Sequence, residues 1–266
     1  MTVAGLERDF IVEVPPLESD PIESGTLRPA ILNFHGRGSS GFQQSIYSQM
    51  SGSALPAGMT VITPDGEGRP RQWLIEGIQT DEPASINFVN ALLDELIQNY
   101  CIDPDRVYAT GMSSGGLMSS VLGCVASDRF AAIAPVALTA WDSDLCGDGE
   151  PIPIMAFHGT ADTVISFTGE PTSLVPSGRL GDVRENMESW AAHNGCATEA
   201  TETQLSNDVL RVEWDCPAGS ETLLYVIIEG GHTWPGAISI PTLGYTTKEI
   251  DATSTIVSFF TGQTGD

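Results

Sequence analysis

Arg106-Val107-Tyr108-Ala109-Thr110 runs without a break into Gly111-Met112-Ser113-Ser114-Gly115, and an apolar helical pattern starts immediately behind it at Gly116-Leu117-Met118. A strand that turns this sharply into a helix puts its central residue in a backbone conformation that only small neighbours tolerate. Gly111 and Gly115 give Ser113 that room. The turn lifts the serine hydroxyl above the sheet edge, and the first amides of the new helix point at the same spot. Ser113 is therefore the candidate nucleophile, and the amide of Ser114 a candidate oxyanion donor. The alternative is a Gly/Ser loop that only caps a helix, so the reading depends on what else the chain supplies.

Three further segments supply it. Pro29-Ala30-Ile31-Leu32-Asn33-Phe34 is an apolar strand that ends in His35-Gly36-Arg37-Gly38-Ser39. A small-residue loop after such a strand can offer a second oxyanion amide, assigned to Arg37 with Gly36 and Gly38 allowing close approach. His35 is read as a loop-stabilising residue, because this chemistry needs backbone donors and no side chain. Ile152-Pro153-Ile154-Met155-Ala156-Phe157-His158-Gly159-Thr160-Ala161-Asp162 is a second buried-type strand whose turn presents an acid. A carboxylate there can hold the Nδ1 proton of a catalytic imidazole, so Asp162 is the candidate triad acid. His158, at the strand end, reads as structural.

The last of the three runs from Thr222 to Ile228 and on through Glu229-Gly230-Gly231-His232-Thr233-Trp234-Pro235-Gly236. His232 is the candidate general base, since the other histidines precede a glycine at a strand end or lie in a helical stretch. The order Ser113, Asp162, His232 is that of α/β-hydrolases and differs from that of chymotrypsin-like and subtilisin-like enzymes. Trp73 and Trp234 are candidate substrate contacts, because an aromatic acyl group or a sugar ring would stack on an indole. Packing is the alternative use of both rings. Trp190 and Trp214 read as core or hairpin residues.

Together with Asp103-Pro104-Asp105-Arg106-Val107-Tyr108 and Arg129-Phe130-Ala131-Ala132-Ile133-Ala134-Pro135-Val136, these motifs resemble the secreted polyhydroxybutyrate depolymerase and feruloyl esterase group. That group includes feruloyl and acetylxylan esterases of carbohydrate esterase family 1. The resemblance runs from about Asp9 to Phe260. It implies a serine carboxylic ester hydrolase working through an acyl-enzyme without metal or organic cofactor. Plant cell wall esters are the expected substrates, with hydroxyalkanoate polyesters as the alternative and a non-catalytic carbohydrate- or polymer-binding protein as a third reading. The chain departs from the group at Arg37, where relatives more often carry a small or apolar residue or a cysteine. Its side chain is expected to narrow the site or to bind an acidic group.

Relatives also carry cysteines like Cys196 and Cys216, which flank a hairpin-sized segment, so the resemblance implies a disulfide there. Cys124 and Cys146 are the candidates for a second bridge, and buried free thiols are the alternative. Disulfides imply a secreted protein. Met1 to Phe10 lacks a signal pattern, so a signal already removed is expected, with a cytoplasmic location as the alternative.

The remaining composition limits the fold and the partners. Strand patterns at Phe10-Val14, Ala30-Phe34, Thr60-Thr63, Val107-Thr110, Ala132-Val136, Ile154-Phe157 and Leu223-Ile228 alternate with helical patterns. The helices are read around Ile86, Val89, Leu93, Leu96 and Tyr100, then at Ser114 to Val125, Arg179 to His193 and Lys248 to Phe260. This is an α/β chain: one domain over 1–266, with a mostly parallel central sheet, helices on both faces and no large lid. Ligands belong at the carboxyl ends of the strands. Loops at Pro15 to Gly25, Pro64 to Arg71 and Gly169 to Gly178 are the expected walls of an open site. A formal charge of −24, with 35 acidic against 11 basic residues, argues against nucleic acid or an anionic membrane as partner. It also raises salt adaptation as a hypothesis. An ester-bearing small molecule, polysaccharide or polyester is the expected partner, bound by a monomer.

Overall fold

Alternate residues of the central strands go to opposite faces of one sheet, and the two faces bury different helices. In the computed structural model, which describes residues 2–3, 6–16, 26–74, 84–146, 149–172 and 180–263, nine strands form this sheet. They are β1 (Phe10–Glu13), β2 (Arg28–Phe34), β3 (Thr60–Pro64), β4 (Ile102–Met112), β5 (Ala132–Val136), β6 (Ile154–Gly159), β7 (Ala200–Gln204), β8 (Val209–Trp214) and β9 (Thr222–Ile227). Their spatial order is β1-β3-β2-β4-β5-β6-β9-β8-β7. The strands from β3 to β9 in that order run parallel. Antiparallel β1 closes one edge, and the antiparallel pair β8 and β7 closes the other. The expected architecture, a mostly parallel sheet with helices on both faces, is the one observed.

On β2, Ala30, Leu32 and Phe34 join one core and Ile31 the other; on β4, Val107 and Ala109 separate in the same way from Tyr108. A strand buried on both faces is apolar at nearly every position, which explains the near-continuous apolar runs in the sequence. The first core is closed by α3 (Ala84–Asn99), α4 (Ser114–Val125) and α6 (Val183–His193). The second is closed by α2 (Met50–Ala54) and α7 (Ala252–Gly262).

Two helix starts differ from expectation, each because of a carboxylate cap. Asp182 accepts the amides of Arg184 and Glu185 and starts α6 at Val183; residue 179, where that helix was expected to start, lies outside the described residues. Asp251 accepts the Ser254 amide at 2.7 Å, so α7 begins after it and Lys248 is left outside. Elements not expected as such include the short helix α1 (Gly41–Ser48), α2, and the separate edge strands β7 and β8.

Both expected cysteine pairings are present as disulfides. Cys124–Cys146 ties the end of α4 to the turn α5 (Ser143–Cys146), and Cys196–Cys216 links the segment after α6 to the end of β8. Cys101 is free and half-buried.

Candidate active site

At the end of β4 the chain reverses through Ser113, whose φ of 57° and ψ of −120° are those of a strained, non-helical residue. Such a conformation costs roughly 1–3 kcal/mol unless its surroundings enforce it. Here they do. The Ser113 amide donates to the Val136 carbonyl at 2.8 Å, and the Ser113 carbonyl accepts from Leu117 in the first turn of α4. Backbone crowds both flanks: a Cβ on Gly111 would stand 2.5 Å from the Phe34 carbonyl oxygen, and one on Gly115 only 2.1 Å from it. The serine occupies the N-cap position of α4, but its side chain makes no capping bond. Its hydroxyl instead lines a cleft of about 470 Å³ together with Gly36, Arg37 and His232. Ser114 opens α4, so its amide belongs to the helical turn that lacks internal acceptors.

The acid and the histidine come from neighbouring parallel strands. Asp162 follows β6 and His232 follows β9, and the two turns are tied by the Ala161 amide donating to the Gly230 carbonyl at 2.9 Å. Gly231 is required by close approach, since a Cβ there would lie 2.2 Å from the Leu243 carbonyl oxygen. His232 Nδ1 lies 2.7 Å from Asp162 Oδ2, with both side chains buried. Asp162 Oδ1 accepts the amides of Val164 and Ile165 at 2.8 and 2.9 Å. Burial by itself would raise the Asp162 pKa, but the hydrogen bonds from His158 and His232 and their charge outweigh it. They hold the carboxyl far below the ordinary carboxylate range. An ionised Asp162 keeps the His232 proton on Nδ1, which leaves Nε2 as the basic nitrogen.

His35 and His158 both act structurally, as expected. The Gly66 amide donates to His35 Nε2 at 2.8 Å, so Nδ1 carries the proton donated to the Gly36 carbonyl at 2.7 Å. Burial lowers the His35 pKa and keeps it neutral. With the Gly38 amide donating to the Arg71 carbonyl, this histidine braces the loop that carries Arg37. His158 Nε2 lies 3.0 Å from the Ile165 carbonyl oxygen and 3.5 Å from Asp162 Oδ2, behind the acid.

A family model described as the prolyl oligopeptidase family matches residues 47–152. Feruloyl esterase B of Piromyces equi is 32% identical over 77% of this chain, which spans 39% of that protein's length. The putative esterase NocK of Nocardia uniformis subsp. tsuyamanensis is 27% identical over 98% of this chain and 81% of that protein. Among solved structures, the acetyl xylan esterase from Aspergillus awamori superposes with a TM-score of 0.61 at 16% identity, covering 85% of this chain and 89% of that one. The chain has the α/β-hydrolase fold and is similar in sequence to feruloyl esterases.

In this α/β-hydrolase the expected aromatic contacts do not reach the cleft, and both are corrected. Trp73 is fully buried, donates its indole N–H to the His35 carbonyl at 2.9 Å and meets Phe34 edge-on at 5.0 Å. Trp234, also buried, donates to Thr253 Oγ1 at 3.0 Å. Each indole finds its acceptor inside, so each ring serves packing behind the site.

Of the three expected wall loops, Pro64 to Arg71 is the one that lies wholly within the described residues. Pro15 to Gly25 and Gly169 to Gly178 fall largely outside the described residues, and Pro64 to Arg71 supports the Arg37 loop from behind without lining the cleft. The walls come instead from α1, through Gln43, Gln44, Ile46 and Tyr47, and from Ile238, Ile240 and Leu243 after the histidine. A signal for α1 is in the sequence: Ser40 followed three residues later by Gln43 is a capping pattern, and Ser40 Oγ accepts the Gln43 amide at 3.2 Å. The helix is then locked to the sheet through buried polar groups. Gln44 donates to Asn33 Oδ1, and Asn33 donates to Ser48 Oγ, both at 2.9 Å.

Proposed function

We propose that this protein is a serine carboxylic ester hydrolase in which Ser113, His232 and Asp162 act as a triad. The observation that carries the reading is the 2.7 Å contact of His232 Nδ1 with Asp162 Oδ2, made where His232 shares a cleft with a strained Ser113. His232 Nε2 takes the Ser113 proton as Oγ attacks the ester carbonyl carbon. The oxyanion sits against the amides of Ser114 and Arg37. Collapse of the tetrahedral intermediate expels the alcohol with the proton from His232. Water activated by the same nitrogen then cleaves the acyl-enzyme, releasing the acid and restoring Ser113.

The substrate class is proposed to be plant cell wall esters of the feruloyl or acetylxylan type. Two observations support it: the feruloyl and acetyl xylan esterases among the similar proteins, and a cleft wall of Tyr47, Ile238, Ile240 and Leu243 that suits a planar aromatic acyl group. Polyester cleavage is the second reading. It is favoured by an apolar lip in which Phe42, Ile46 and Ile238 are 64%, 51% and 58% exposed. Ile46 and Ile238 also line the cleft. The two disulfides favour an oxidising, extracellular setting.

The test is to measure initial rates of the wild type and Ser113→Ala on methyl ferulate, acetylated xylan and a hydroxybutyrate oligomer. Serine-dependent release of ferulate or acetate is expected. Faster cleavage of the oligomer would move the protein to the polyester reading, and no turnover on any substrate would return it to a binding role.

A further inference from the structure

We infer that Arg37 selects esters whose acyl or alcohol part carries a carboxylate, an inference that rests on the ester hydrolase reading. Arg37 stands in the cleft wall with Ser113 and His232, and its neighbours Gly36 and Gly38 place no side chain between it and the serine. Among the described residues, Arg8, Arg71, Arg106, Arg129, Arg184 and Arg211 each pair with a carboxylate. Arg28, Arg37 and Arg69 make no such pair, and of these three Arg37 is the one that lines the cleft. Its described contact is Nε donating to Gln72 Oε1 at 3.2 Å, a neutral acceptor.

That arrangement holds the guanidinium without neutralising it. With Nε committed to Gln72, the two Nη groups remain as a fork that matches the two oxygens of a carboxylate. In a chain with 35 acidic and 11 basic residues, carboxylates are plentiful, so a cation beside the serine that meets an amide is a local exception. Ile46, Ile238, Ile240 and Leu243, which also line the cleft, offer an anion no partner. A net charge of −24 repels anions at long range. Among the residues lining the cleft, Arg37 carries the permanent positive charge that can offset this repulsion at contact.

The test compares kcat/KM on two matched pairs of esters. On the alcohol side, 4-acetoxybenzoate is set against 4-acetoxybenzamide; on the acyl side, the mono-p-nitrophenyl ester of adipic acid is set against p-nitrophenyl pentanoate. Each pair is run with wild type, Arg37→Gln, Gln72→Glu and Ser113→Ala. Gln72→Glu leaves residue 37 intact and gives its guanidinium an internal carboxylate. The anionic-to-neutral ratio is expected to fall about tenfold or more in both Arg37→Gln and Gln72→Glu, in the series whose carboxylate reaches the guanidinium. A fall in Arg37→Gln alone would still assign the selection to the guanidinium. Serine-dependent turnover with ratios unchanged within about twofold in both series would overturn the inference alone. Absence of serine-dependent turnover on all four esters would overturn the hydrolase reading with it.

Discussion

Gly36 lies directly against Ser113: a methyl group built on its Cα would stand 3.4 Å from the serine Cβ and 4.0 Å from Oγ. These are ordinary contact distances, so Gly36→Ala is tolerated by the fold, but the methyl takes space next to the attacking oxygen. A misplacement of this size at a reacting centre costs about 10–100-fold in kcat/KM, while the melting temperature should move by less than about 3 °C. Parallel kinetics and thermal melts check both, and a loss of activity that merely tracks a loss of stability would refute the steric account.

Asp162→Asn should preserve the turn, because Asn Oδ1 can still accept the Val164 and Ile165 amides that Asp162 Oδ1 accepts now. The partner facing His232 Nδ1 would become an amide N–H in place of a carboxylate oxygen. The imidazole would then keep its proton on Nε2 and lose its basic nitrogen at the serine. A drop of about 10⁴-fold in kcat follows by analogy with serine proteases, with circular dichroism unchanged. A rate within tenfold of wild type would mean that Asp162 only shapes the turn.

Much of this site was legible because it hangs on strand ends. Apolar runs that end in Gly111-Met112-Ser113, Phe157-His158-Gly159 and Glu229-Gly230-Gly231 mark places where backbones approach within reach of a missing Cβ, and that crowding is visible as glycine. The cleft walls were less legible. Helix α1 is short, rich in serine and glutamine, and anchored by the Asn33-Gln44-Ser48 network, so apolar periodicity could not find it. The indoles of Trp73 and Trp234 were misplaced for a different reason. Sequence places a ring near the chemistry but does not say which way its N–H points, and both point inward.

Trp73→Phe separates those two uses. The change leaves the buried His35 carbonyl without the donor it has now, at a cost of about 1–3 kcal/mol. For a domain of this size that lowers the melting temperature by roughly 5 °C. KM for methyl ferulate should stay within twofold, because the ring does not line the cleft. A several-fold rise in KM with an unchanged melting temperature would restore the stacking role.

The disulfides close loops with sequence separations of 22 and 20 residues, each worth about 3 kcal/mol in the chain-entropy account. Iodoacetamide in denaturant without reductant should label one thiol, Cys101, and after reduction all five cysteines. Melting in the presence of reductant should occur well below that of the oxidised protein. Labelling of more than one thiol before reduction would show that the bridges do not form in solution.

Acid should destabilise the fold through His35 before it affects Asp162. Burial lowers the folded pKa of His35 below its ordinary value of 6.5. Below pH 6.5, therefore, the unfolded chain binds a proton that the folded chain refuses, and stability falls as pH falls, by up to about 1.4 kcal/mol per pH unit. Asp162 behaves as a depressed carboxylate: its contribution is fully present above its ordinary value of 3.8 and is lost only as pH drops through its lower folded pKa. As pH falls below 6.5, the His35 contribution is thus the first of the two to act. Its physical content is the Gly66 amide, which loses its acceptor once Nε2 is protonated and so releases the brace behind the Arg37 loop. His35→Gln keeps an acceptor that does not titrate in this range. It should melt lower than wild type at pH 7.5 but with a smaller decrease between pH 7.5 and 5, whereas equal decreases in the two proteins would remove His35 as the source of the acid sensitivity.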